Sequence, residues 1–302
     1  MGGVILNKIA IVGLGNVGMA YAYSLMNQSL EIEKLILIDT NTNKLEGKCS
    51  DLNHSLPNLP WNPNINIVIG NYDDCKDADI VCITAGVPQN SVKNFRMEDL
   101  QKANLIFKDI VPKIRDSGFS GIYLVASNPL DVMTYVTWKY AKCDSSKVIG
   151  SGTLLDTARL HCILADFLKI DYQKVDGYVL GEHGDTSFVS WDSVKRKNIT
   201  ELEKSCIESA VRKAGFEVAS SQGFTCYGVA SALTRITRAI LLNEQETLPI
   251  CTYQEDYGIY ISTPSLIGKR GVIKSSIMQL SDLENMKFMY SVNAIKTAIG
   301  SL

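Results

Sequence analysis

Histidine is scarce here, with three in 302 residues at positions 54, 161 and 183, so few side chains are available for acid/base work near neutral pH. No apolar run approaches the roughly 20 residues that cross a bilayer, so no membrane association is expected. Neither charge sign dominates. Thirty basic residues against thirty-two acidic ones leave a net charge of -2, too little to draw the chain to nucleic acid. Eight cysteines show no C-x-x-C pair and no disulfide-scaffold crowding. They read as reduced, mostly buried thiols, and no metal site is expected. Met1-Gly2-Gly3-Val4-Ile5-Leu6 lacks the Ser or Thr of a myristoylation signal, and no cationic segment leads into an apolar leader, so the expectation is a cytoplasmic chain. Repeats, low-complexity segments and an obvious linker are absent too. The length suggests two closely packed lobes.

What is present is an alternation of short β-branched runs with helix-length amphipathic stretches, the pattern of βαβ units and a parallel sheet. The runs are Lys8 to Val12, Leu35 to Ile38, Ile65 to Ile69, Ile80 to Thr84, Ile122 to Ala126 and Val148 to Ile149. Being continuously apolar, they call for cover on both faces.

The first run leads into Gly13-Leu14-Gly15-Asn16-Val17-Gly18, followed by a helix expected from Met19 to about Asn27. Gly13 permits a tight turn, Gly15 admits a pyrophosphate close to the backbone, and Gly18 lets helix and strand pack. The phosphates would meet free N–H groups at a helix N-terminus. Asp39 ends the second run, 21 residues beyond Gly18, where a carboxylate accepts from an adenosine ribose and repels the extra phosphate of NADP. The other reading of Asp39 is a turn with Thr40 and Asn41. With strand, glycines, helix, strand and acid in order, the expected cofactor is NAD.

In the second half, Thr153-Leu154-Leu155-Asp156-Thr157-Ala158-Arg159 opens a helix on which Asp156 and Arg159 share a face. The plainer alternative is a capping box from Thr153 to Asp156, with a surface ion pair of little worth. His183 lies 27 residues past Asp156, in Gly181-Glu182-His183-Gly184-Asp185. Between two glycines and two carboxylates it is poorly suited to packing, and one ring nitrogen can be held by an acid while the other faces substrate. His54 and His161 sit in helical sequence and are not expected to act in catalysis.

These segments, with Val125-Ala126-Ser127-Asn128-Pro129 and Gly150-Ser151-Gly152 between them, resemble the L-lactate/malate dehydrogenase family over nearly the whole chain. The resemblance implies an α/β fold: a Rossmann-type doubly wound parallel sheet over residues 1–147, followed by an α+β substrate and catalytic domain over 148–302. It implies NAD held by Gly13, Gly15, Asn16, Val17, Gly18, Asp39, Thr84, Ala85, Gly86, Ser127, Asn128 and Val229. His183 would be the acid/base, Asp156 its orienter, and Arg159 a bidentate clamp on the substrate carboxylate. Asn128 would bind the reacting oxygen, unless Asn128-Pro129 is a plain turn. Arg96, in the segment from Gln89, would bring a cation to the carbonyl; read without the family, Lys93 and Arg96 are a solvated loop face.

The same resemblance bears on substrate. Gln89 argues against a second substrate carboxylate, hence against malate, although the stretch to Arg96 is one residue longer than the family's and lacks its glycine. Thr225 corresponds to a pocket floor suited to a methyl group, with a packed helix start as the alternative. Both favour a small 2-keto or 2-hydroxy monocarboxylate, namely pyruvate and L-lactate. The segments around Leu154 and from Gly258 to Pro264 are similar to the L-2-hydroxyisocaproate branch, which takes bulkier 2-keto acids. A non-catalytic dinucleotide-binding protein would be expected to lose His183, Arg159 or Arg96, and all are present. The partner expected is a second copy of the chain, in a homotetramer or homodimer. Fructose 1,6-bisphosphate activation is not expected, because the basic positions it uses in bacterial relatives are His161 and Asp176 here.

Overall fold

The computed structural model describes residues 7–61, 64–87, 97–195, 198–275 and 278–302. Six parallel strands form its centre: β1 (Asn7–Val12), β2 (Ile32–Ile38), β3 (Asn66–Ile69), β4 (Ile80–Ile83), β5 (Ile122–Val125) and β6 (Val148–Gly150). Their spatial order, β3-β2-β1-β4-β5-β6, reverses at β1, the doubly wound arrangement whose ligand crevice lies at the carboxyl ends of the strands. Helices α1 (Asn16–Met26), α2 (Thr42–Ser55), α3 (Met97–Asp116) and α4 (Leu130–Ala141) belong to this half.

Both faces of the sheet are covered, as the apolar runs require. Alternate residues feed two cores: Ile9, Ile11, Leu35, Leu37, Ile80, Cys82, Ile122 and Leu124 face one, and Ala10, Val12, Ile36, Ile38, Val81, Ile83, Tyr123 and Val125 face the other. At roughly 1.5–3 kcal/mol for each large side chain removed from water, this two-sided burial is the main force holding the strands.

The second half contains α5 (Leu154–Leu168), β7 (Tyr178–Leu180), β8 (Phe188–Ser190), α6 (Glu201–Gln222), α7 (Tyr227–Leu241), β9 (Glu246–Gln254), β10 (Ile259–Gly268), β11 (Gly271–Ser275) and α8 (Asp282–Gly300). It is more entwined with the first half than the sequence suggests. β9 pairs antiparallel with β6, and β10 and β11 follow, so that nine strands among the described residues form one sheet. Leu233 and Ile236 of α7 enter the same core as Tyr21 and Leu25 of α1. The Tyr21 hydroxyl meets Thr237 Oγ1 at 2.5 Å inside that seam.

Helix α1 starts earlier than expected, at Asn16, because Gly15 already serves as its N-cap. The cysteines are free, but Cys162 and Cys206 are exposed, so the expected burial fails for those two. No helix among the described residues is long and apolar enough to cross a membrane. No group of three or more His, Cys, Asp or Glu side chains among them could hold a metal ion.

Candidate functional site

The glycine turn joins β1 to α1 at the carboxyl edge of the sheet. Gly13 has φ +97°, and a Cβ there would fall 2.4 Å from the Ala85 nitrogen. A Cβ on Gly18 would fall 2.1 Å from the Gly13 carbonyl oxygen and 2.8 Å from Thr84 Oγ1. These two positions therefore accept no side chain without movement. Gly15 is different, since nothing lies within 4 Å of where its Cβ would be. The space over it is open, α1 has no side-chain cap, and its first turn carries no acid to compete with an anion. That combination fits a pyrophosphate at a helix N-terminus.

Asp39, half-buried at the end of β2, does two jobs. Oδ2 accepts from Leu14 N at 2.7 Å and Oδ1 from Asn41 N at 2.9 Å, so the turn of the alternative reading does form, and the same carboxylate pins the glycine loop. Each oxygen keeps a further lone pair for a ribose hydroxyl. The Leu14 carbonyl is held in turn by Lys48 Nζ from α2, a contact between residues 34 apart that no local motif signals. Thr84 Oγ1 donates to the Gly13 carbonyl, and Ser127 Oγ donates to the Ala85 carbonyl at 2.5 Å. Thr84, Ala85, Gly86 and Ser127 thus gather beside the glycine turn, where they could line a dinucleotide site. Asn128 is exposed immediately after Ser127, and Val229 is partly buried against the α1 side of the sheet.

The structure brings Asp156, Arg159 and His183 together. Asp156 Oδ2 meets His183 Nδ1 at 2.6 Å, and Asp156 Oδ1 accepts from Arg159 NH1 at 2.8 Å. The carboxylate side chain is only 10 % exposed. The capping-box alternative does not form, because the Thr153 hydroxyl donates to the Val179 carbonyl at 2.5 Å. That bond, with Val179 N donating to Thr157 Oγ1 at 3.0 Å, ties the start of α5 to β7, the strand that delivers His183.

Charges in this cluster support one another. Burial works against ionised Asp156, but the His183 and Arg159 charges and their hydrogen bonds hold its carboxyl below the usual range. Burial also works against an imidazolium at 183; the charge and hydrogen bond of Asp156, and the charge of Asp131, outweigh it and raise the pKa, with Arg159 opposing. The arrangement can hold a proton on a ring whose second nitrogen, Nε2, is left for a reactant.

Arg159 lies flat against α6, where a Cβ on Gly215 would approach NH1 and NH2 to 3.2 Å each. Thr225 is half-buried between α6 and α7. Gln89 and Arg96 lie outside the described residues. His54 is exposed on α2, whereas His161 Nε2 pairs with the Gly177 carbonyl at 2.9 Å, away from the cluster. The sequence reading missed Lys48, Gly215 and Asp131, whose Oδ2 accepts from His183 N at 2.8 Å. An acid among Leu130, Val132 and Met133 was the available signal for Asp131.

Residues 7–150 match the family model "lactate/malate dehydrogenase, NAD binding domain", and residues 153–301 match "lactate/malate dehydrogenase, alpha/beta C-terminal domain". The chain is 41 % identical over 307 residues to the L-lactate dehydrogenase of Bacillus pumilus, covering 96 % of each. Among solved structures, a lactate dehydrogenase from a Medee basin deep-sea metagenome library superposes with TM-score 0.92 at 39 % identity, covering 98 % of both chains. The ligand-bound minor L-lactate dehydrogenase of Enterococcus mundtii gives TM-score 0.93 at 34 % identity, again over 98 % of both. With both halves matched in order, the chain belongs to the lactate/malate dehydrogenase family.

Proposed function

We propose that this protein is an NAD-dependent L-lactate dehydrogenase, interconverting pyruvate with NADH and L-lactate with NAD. One observation carries this reading: a single carboxylate, Asp156, holds both the ring of His183 and the guanidinium of Arg159. A proton donor and a carboxylate clamp are thereby fixed relative to each other, as a substrate whose carboxylate adjoins its carbonyl requires.

Arg159 has one N–H group committed to Asp156, and no other carboxylate among the described residues pairs with it. Its remaining donors serve the substrate carboxylate as a planar fork. His183 enters the reductive direction as the imidazolium and donates from Nε2 to the keto oxygen. In the oxidative direction the neutral ring accepts that proton. The cofactor, when bound, would supply a hydride to C2 as NADH or accept one from C2 as NAD, and Gly13, Gly15, Asn16, Val17, Gly18, Asp39, Thr84, Ala85, Gly86, Ser127, Asn128 and Val229 would hold it. Asn128 receives the same oxygen as His183, Arg96 supplies a cation to it, and Gln89 and Thr225 bound the side-chain pocket. The protein works in the cytoplasm as a homotetramer or homodimer.

Bulkier 2-keto acids are the main competitors for the pocket. The test is NADH consumption by the purified protein with pyruvate, 2-ketoisocaproate and oxaloacetate in parallel. Pyruvate is expected to give the highest kcat/KM. Preference for 2-ketoisocaproate would move the assignment to the bulkier class, and no turnover with any of the three would overturn it.

A further inference from the structure

Lys48 lies midway along α2 and is half-buried. Its Nζ donates to the carbonyl of Leu14, the residue between Gly13 and Gly15, while Asp39 Oδ2 accepts from the N–H of that same residue. One buried residue of the glycine turn is thus held by an ammonium at its carbonyl and by a carboxylate at its amide.

Holding a carbonyl does not require a charge, since a neutral amide N–H would satisfy it equally well. Lys44 and Asp51, one turn away on α2, are exposed, and no carboxylate among the described residues forms an ion pair with Lys48. The ammonium therefore keeps two N–H donors and an unmatched charge beside the turn. What it faces across Leu14 is Asp39. A dinucleotide settling over Gly15 brings two pyrophosphate charges to an open, acid-free helix N-terminus, and the nearby Asp39 carboxylate repels them.

We propose that Lys48 is a cofactor-binding residue whose charge offsets that of Asp39, so that the cradle accepts the phosphates it must hold while Asp39 still selects against a further one. The proposal rests on the placement of the cofactor at the glycine turn.

The test is fluorescence titration of wild type, Lys48→Gln and Lys48→Arg with NADH and NADPH, together with displacement of NADH by adenosine. Gln keeps an N–H for the Leu14 carbonyl without the charge, and Arg keeps both. The loss of affinity in Lys48→Gln is expected to grow with the negative charge of the ligand: roughly three- to tenfold for NADH, more for NADPH, and within about twofold for uncharged adenosine. It should shrink at high ionic strength, where the charge is screened. Lys48→Arg should stay within about threefold of wild type for all three ligands. An equal loss for the three ligands in Lys48→Gln, or no loss, overturns the proposal, because a purely structural hold on the turn serves every nucleotide alike. Should Lys48→Gln not fold, Lys48→Met replaces it, with the same graded loss expected and the same uniform result refuting it. Wild type that fails to bind NADH would remove the cofactor site itself; wild type that binds NADH, with a variant indifferent to ligand charge, would overturn this proposal alone.

Discussion

Replacing Asp156 by Asn removes the charge that holds the site together while keeping its shape. The carboxylate makes two charge-assisted hydrogen bonds, at 2.6 Å to His183 Nδ1 and 2.8 Å to Arg159 NH1, each of a kind worth about 1.5–3 kcal/mol. Loss of the His183 bond alone, at about 1.4 kcal/mol for each factor of ten, lowers the supply of imidazolium and pyruvate kcat/KM by roughly 10- to 150-fold near neutral pH. Lactate oxidation suffers more. With its oxygen toward Arg159, Asn turns its amide N–H to Nδ1, which forces the neutral ring to carry its proton on Nε2, where the substrate proton should go. In wild type the raised His183 pKa keeps reduction active up to that value and lets it fall above; in Asp156→Asn the fall begins at lower pH. Stability follows the opposite limb. A carboxyl whose folded pKa is depressed stabilises the fold above its unfolded value, near 4, and that contribution is lost as pH drops through the folded pKa. The variant should thus be less stable at neutral pH, by about 1–3 kcal/mol, and equal to wild type in strong acid. Steady-state kinetics in both directions between about pH 5 and 9, with urea unfolding at both ends of the pH scale, measure all of this. A variant within threefold of wild type with an unmoved pH profile would refute the reasoning.

Gly18→Ala drives a methyl group onto the Gly13 carbonyl, so thermal unfolding should show a loss of about 1–3 kcal/mol and fluorescence titration a weaker grip on NADH, by on the order of tenfold. Gly215→Ala separates binding from folding: alanine adds roughly 0.5–1 kcal/mol of helix stability, yet its methyl group displaces the Arg159 guanidinium. The pyruvate KM should therefore rise about three- to tenfold with the melting temperature unchanged or higher. Asp39→Asn keeps one acceptor oxygen, enough for Leu14 N or Asn41 N but not both, and removes the repulsion toward a ribose phosphate, so the preference for NADH over NADPH should shrink by roughly tenfold. Fructose 1,6-bisphosphate should leave the pyruvate half-saturation concentration unaltered, since Asp176 is engaged by Lys195 through its backbone N–H at 2.9 Å and Nζ at 3.5 Å.

The parts of this molecule legible in the sequence are those with local causes. β4 and β5 are four-residue runs buried on both faces, and β-branched residues between turn signals announce them. The glycine turn and Asp39 are legible because strand, turn and helix follow one another within about 30 residues. The extension of the sheet by β9, β10 and β11 was not, because nothing local in those strands says that β9 will pair with β6 at Gly150 and Cys251. Thr153 shows the limit of a local motif, since its hydroxyl goes to Val179, 26 residues away, in preference to a cap. Asp131 and Gly215 acquire their meaning only from contacts with His183 and Arg159, 52 and 56 residues distant.

The proposed function makes His183 the group that exchanges a proton with the substrate oxygen. The most direct test is pyruvate kcat/KM for His183→Asn against wild type at neutral pH, with NADH binding measured on the same samples. Loss of activity by about 10²–10⁴-fold with NADH affinity preserved is predicted. Activity within tenfold of wild type would contradict it.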